Sequence, residues 1–197
     1  MIHLLGLTGS IGMGKSTTAD MFRAIGIPVW DADATVHALY GKHGAAVTPM
    51  KDAFPTAVVD GAVDRSVLKR IISEDPAALK TIETIVHPLV ADDRVAFIAE
   101  HPDQLVVLDM PLLFETRADV WLDAVVVVSA PADVQRARVL ARPNMTPSQF
   151  DAILAKQMPD AEKRTRADYL IEATSLDATR QAVQNLVADI RKANQHA

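Results

Sequence analysis

The chain contains no cysteine among its 197 residues, which removes disulfides and thiolate metal sites and permits a reducing cytosol. It has no excess of positive charge either: 20 Lys and Arg stand against 25 Asp and Glu, a net charge of −5. That balance argues against a broad basic footprint for nucleic acid or anionic lipid, so any anionic ligand must be held by a local cluster of positive groups. No apolar run approaches the roughly 20 residues of a membrane helix. The opening MIHLLGLTGS carries no basic segment before its glycines, so it reads as a buried first strand and not as a signal peptide. Also missing is an N-K-x-D or T-K-x-D tetrapeptide after the later strands, which counts against a guanine-reading GTPase.

What is present is a chain 49% hydrophobic, long enough for one globular domain with room for an insertion. Ile2 to Leu7 is short and apolar, followed at once by a glycine-rich turn and then by TTADMFRAIG with apolar residues at helical spacing. Gly26 is suited to capping that helix, and Ile27 to Trp30 predicts a second strand ending at Asp31. Leu105 to Leu108, Ala124 to Val128 and Tyr169 to Ile171 are further strand candidates without polar alternation, as expected of parallel strands covered on both faces. Strands alternating with helices predict an α/β doubly wound sheet.

Between the second strand and Leu105 the reading is mostly helical and too long for a crossover, so an inserted helical subdomain is expected. Asp75-Pro76 predicts a helix start, and Leu79, Ile82, Ile85 and Val86 run at helical spacing to the pre-proline position His87. From Arg136 to Arg166 the chain is charged and helical with a turn at Arg142-Pro143-Asn144. Asp177 to Asn194 places Val183, Leu186, Val187 and Ile190 on one stripe of a closing helix.

Gly9-Ser10-Ile11-Gly12-Met13-Gly14-Lys15-Ser16 fits G-x-x-x-x-G-K-[ST] between a strand and a helix, where a phosphate loop belongs. Its glycines let successive backbone N–H groups turn toward one phosphate, and the helix that follows adds its positive dipole end. Lys15 supplies charge for the β- and γ-phosphates of ATP, and the Ser16 hydroxyl is a ligand for Mg²⁺. The motif implies nucleoside triphosphate and magnesium without specifying the reaction.

Asp31-Ala32-Asp33 follows the second strand, and the carboxyl ends of strands open onto the ligand crevice. A carboxylate there is placed to take the proton of an attacking hydroxyl or merely to cap the helix that follows, and both readings can hold for different aspartates. Asp109 closes the strand before it, where P-loop proteins keep a magnesium-associated carboxylate, directly or through water. Gln135, Arg138 and Arg142 recur at spacings of three and four, with Lys156, Lys163, Arg164 and Arg166 beyond. Such a run is either a solvated basic face or a lid that brings positive charge to a transferred phosphoryl group. The lid is the favoured reading, because the run follows the fourth strand of a chain that is negative overall.

These residues resemble a known family. GLTGSIGMGKS, DAD, DGAVDRSVLKRIISED, IVHPLV, LDMPLLFE, QRARVLAR and the region from Gln157 to Asp168 stand in the order seen in dephospho-CoA kinases, and the resemblance covers nearly the whole chain. It implies a P-loop kinase fold and transfer of the ATP γ-phosphate to the 3′-hydroxyl of dephospho-CoA, the last step of coenzyme A synthesis. It implies Asp33 as general base, Lys15 and Arg142 as catalytic cations, and Gly12, Met13, Gly14, Lys15, Ser16 and Thr17 around the ATP phosphates. His87, Arg138 and Pro111-Leu112-Leu113, within the segment ending at Glu115, are implied on the acceptor side. Ser10, Pro143-Asn144 and Glu172-Ala173-Thr174 depart from the family's usual residues.

The expected partition is one domain. It has a core over about 1–35, 103–135 and 168–197, a helical acceptor subdomain over about 36–102, and a lid over about 136–167. A cytoplasmic monomer or weak homo-oligomer is expected, with a small-molecule substrate and neither nucleic acid nor membrane as partner. The alternatives are another P-loop small-molecule or nucleoside monophosphate kinase, or an ATP-dependent switch.

Overall fold

Val- and Leu-rich runs become the central strands, and a glycine, aspartate or proline at or within two residues of each one's end stops it. The computed structural model describes residues 3–195; Ile2, expected in the first strand, lies outside them. β1 (Leu4–Thr8) leads into α1 (Lys15–Ala24) and β2 (Val29–Asp31). There follow α2 (Ala32–Tyr40), α3 (Val47–Ala53), the short strands β3 (Val58–Val59) and β4 (Ala62–Val63), α4 (Arg65–Glu74) and α5 (Ala78–Ala99). The chain returns through β5 (Val106–Asp109), β6 (Ala124–Ser129), α6 (Ala132–Leu140), α7 (Pro147–Leu154), α8 (Asp160–Arg166), β7 (Tyr169–Glu172) and α9 (Leu176–Gln195).

Two compact units result: residues up to Trp30 together with those from Asp103 onward, and Asp31–Pro102. In the first, the sheet order is β2-β5-β1-β6-β7. Central β1 runs parallel to β5 and β6, with Leu7 opposite Asp109 and Thr8 opposite Val127, and β7 runs parallel to β6. Every residue of β5 and β6 is buried, as a parallel sheet covered on both faces requires. Phe22 of α1 and Val183, Val187 and Ile190 of α9 join Leu5, Leu7, Val126 and Val128 in one core. Each such side chain contributes about 1.5–3 kcal/mol when fully buried.

α1 stops where expected. Gly26 adopts φ 79° and donates to the Arg23 carbonyl at 3.0 Å, while Ile27 donates to Phe22 at 3.1 Å, a Schellman end that turns the chain into β2. The charged run breaks into three helices. α7 opens on a capping box between Thr146 and Gln149 with Pro147 behind it.

The second unit has its own core of Tyr40, Met50, Leu68, Ile82 and Val86. The stretch is mostly helical, as read, and adds a hairpin: Asp60 and Gly61, with φ 50° and 80°, close β3–β4 in a turn of the kind that needs two positive φ values. Two expectations change here. Asp75 ends α4 instead of starting α5; its carboxylate accepts from Ala77 N–H at 2.9 Å and holds the turn between the two helices. α5 does not stop at His87 but carries Pro88 inside it and continues to Ala99. Proline removes one intrahelical bond, yet buried Ile82 and Val86 anchor the helix just before that gap.

Candidate active site

The loop between β1 and α1 is shaped by close approaches that only glycine permits. A side chain at Gly9 would collide with the Val128 carbonyl, and one at Gly12 (φ 79°) with Val139 and Gln135. Gly14 (φ 98°) is the N-terminal cap residue of α1, and no side chain caps that end. The amides of Lys15, Ser16 and Thr17 come before the first intrahelical bond, from Thr18 N–H to the Gly14 carbonyl at 3.0 Å. They are the unsatisfied donors, at the positive dipole end, that bind anions.

Two amide side chains brace this loop. Gln135 Nε2 donates to the Ile11 carbonyl at 2.8 Å, and Ile11 N–H donates to Gln157 Oε1 at 3.1 Å, so the two peptide groups that flank the Ile11 Cα are both held. The helical spacing already singled out Gln135. Gln157 had no local signal, because its partner lies far away in the chain.

Lys15 Nζ lies 2.5 Å from Asp109 Oδ1. The lysine side chain is 15% exposed and the aspartate 1%, so a buried carboxylate at the end of β5 aims an ammonium that solvent can reach. Ser16 and Thr17 are exposed at the same helix end. Arg138 Nη2 donates to the Ala173 carbonyl at 2.7 Å, whereas its Nη1 is buried without a hydrogen-bond partner among the described residues. That Nη1 lies 3.7 Å from where a Cβ on Gly14 would stand. The phosphate loop, Asp109, Gln135 and Arg138 are therefore brought together within the first unit.

Other expected residues are distributed differently. Arg142 does not share a helical face with Gln135 and Arg138, because α6 ends at Leu140; it sits exposed in the turn before α7. Among the lid cations, Lys163 pairs with Glu115 (3.0 Å), Arg164 with Glu172 (3.1 Å) and Arg166 with Asp119 (2.7 Å). Arg142 and Lys156 remain exposed with no side-chain partner among the described residues. Leu113, expected on the acceptor side, is wholly buried against Gly6 and offers an acceptor no surface; Leu112 beside it is exposed.

In the second unit, Asp31 caps α2 by accepting from Ala34 N–H at 3.0 Å. Asp33, in the first turn, keeps an exposed carboxylate that takes no part in the cap. His87 is exposed midway along α5.

Burial alone would raise the Glu115 carboxyl. Hydrogen bonds from Met158 N–H, from its own backbone N–H and from Lys163, together with the charge of Lys163, outweigh that and hold it below the ordinary range.

The family model for dephospho-CoA kinase matches residues 3–178. The chain belongs to the dephospho-CoA kinase family. Its similarity to the dephospho-CoA kinase of Ruegeria pomeroyi is 57% identity over 197 residues, the whole of both chains. The crystal structure of TT1252 from Thermus thermophilus superposes with a TM-score of 0.84 at 35% identity, covering 95% of this chain and 97% of that one. A dephospho-CoA kinase from Campylobacter jejuni, at 24% identity and a TM-score of 0.73, covers 98% and 100% and shares the fold. As a dephospho-CoA kinase family member with a P-loop kinase fold, the chain is an ATP-dependent kinase, a transferase acting on a small molecule. No helix among the described residues is long and apolar enough to cross a membrane.

Proposed function

We propose that this kinase transfers the γ-phosphate of ATP to the 3′-hydroxyl of dephospho-CoA in the cytoplasm, giving CoA and ADP. The observation that carries the reading is the open N-terminus of α1, with Lys15 held on Asp109, in a chain similar over its whole length to dephospho-CoA kinases.

Gly12 to Thr17 receive the phosphates through their main-chain amides, and Lys15 exchanges part of its bond to Asp109 for phosphate oxygens. Arg138, expected on the acceptor side, is assigned to the phosphates instead, because its buried Nη1, without a hydrogen-bond partner among the described residues, lies beside Gly14. Exposed Arg142 adds charge to the phosphoryl group in flight. Asp33, which takes no part in the cap of α2, accepts the proton of the acceptor hydroxyl, and His87, Pro111 and Leu112 contact the acceptor.

Ser16 and Asp109 would hold Mg²⁺. A hydroxyl and a carboxylate are hard oxygen donors, and this ion commonly takes few protein ligands beside phosphates and water. No group of three or more His, Cys, Asp or Glu among the described residues suits an all-protein cage. When bound, the ion neutralises charge on the β- and γ-phosphates.

Purified protein with ATP, magnesium and dephospho-CoA should form ADP and CoA in step. ADP formation only with shikimate, gluconate or nucleoside monophosphates rejects the acceptor, and hydrolysis that needs no acceptor favours a switch.

A further inference from the structure

Lys163 is wholly buried, an unusual position for an ammonium, which persists only where charge and hydrogen bonds replace its water. It reaches Glu115 Oε1 at 3.0 Å and donates to the Pro111 carbonyl at 3.3 Å. Pro111 and Glu115 are the first and last residues of one five-residue segment, so a single ammonium holds both of its ends. Further ties converge there. The Pro111 carbonyl also accepts from Thr8 Oγ1 at 3.1 Å, at the end of β1, and Glu115 Oε1 also accepts from Met158 N–H at 2.7 Å. Midway, Leu113 is sunk against Gly6, while Arg166 lies 4.6 Å over the Phe114 ring. A segment fixed at its ends and its middle leaves Leu112, 45% exposed, pointing outward.

We propose that Lys163 is a positioning residue for the acceptor: it sets the Pro111–Glu115 segment so that Leu112 offers a fixed apolar contact to the bound alcohol. This rests on the acceptor reading above. Lys163 touches no reacting atom and acts only through the segment it ties. On this account α8 is an anchor, and its lysine serves neither a solvated face nor the phosphates.

The test compares Lys163→Met, which keeps an apolar stem of similar length, with Glu115→Gln/Lys163→Met. The double variant leaves no lone buried carboxylate and keeps an acceptor for Met158 N–H, and it carries the test if the single variant does not fold. In both, KM for dephospho-CoA should rise about tenfold while KM for ATP stays within about twofold. Amide exchange at Leu113 and Thr116 to Ala118 should quicken relative to β1. A double variant with both KM values unchanged, or with both raised together as by general loosening, overturns the proposal. If wild-type protein does not use dephospho-CoA, the functional reading fails, and exchange alone decides the tie: unchanged rates in the segment overturn it.

Discussion

Two lysines reach carboxylates at or just beyond the end of β5, and they are built for different work. Lys15 meets Asp109 at the mouth of the phosphate loop with 15% of its side chain exposed; Lys163 meets Glu115 with none. The chemistry of the two pairs is the same, and access separates them. An ammonium that solvent can reach can trade part of its carboxylate contact for a phosphate. A sealed one has no such partner to find, and breaking its pair leaves an uncompensated charge.

The largest expected effect lies on the accessible side. Lys15→Ala should lower the transfer rate about a thousandfold and abolish most of the thermal stabilisation by MgATP, whereas Lys163→Met should keep that stabilisation. Equal melting-temperature shifts with MgATP in the two variants would erase the distinction. Arg142→Ala should side with Lys15, losing about a hundredfold or more in kcat in a single-turnover assay, because it too is a cation that a phosphate can reach. Asp33→Asn should cost about a hundredfold in kcat with ATP affinity within about twofold, since its partner is the acceptor hydroxyl; unchanged turnover would reduce Asp33 to a first-turn helix residue.

The smallest effect sharpens the sealed side. Glu115 has its carboxyl held below the ordinary range in the folded protein. Its contribution to stability is therefore complete above the unfolded carboxyl value and is lost as pH falls through the lower folded one. In Glu115→Gln, the melting temperature should fall less steeply with acid than in wild type. An identical acid limb would show that the pair adds no pH-linked stability.

Much of this molecule was legible in its residues. The phosphate loop announces itself because each glycine answers a local demand, and the strands do so because parallel strands buried on both faces need unbroken Val and Leu. Gly26 and the stripe on α9 follow from helix geometry alone. The alternative roles of Asp31 and Asp33 were visible, but the hydrogen bond that makes Asp31 the cap was not.

What escaped the sequence depends on tertiary context. The Asp60-Gly61 hairpin joins strands of only two residues, too short for an alternating pattern. Pro88 signals a stop, yet core packing of Ile82 and Val86 holds α5 through it. Arg142 falls off the expected face because α6 ends two residues before it. Nothing in the charged run separates sealed Lys163 from exposed Lys156, since the carboxylate that seals the first comes from a distant loop.

The most direct test is calorimetric titration of the wild-type protein with MgATP. One site per chain should bind with measurable heat and raise the melting temperature. No heat and no shift would contradict the phosphate loop as the seat of the chemistry.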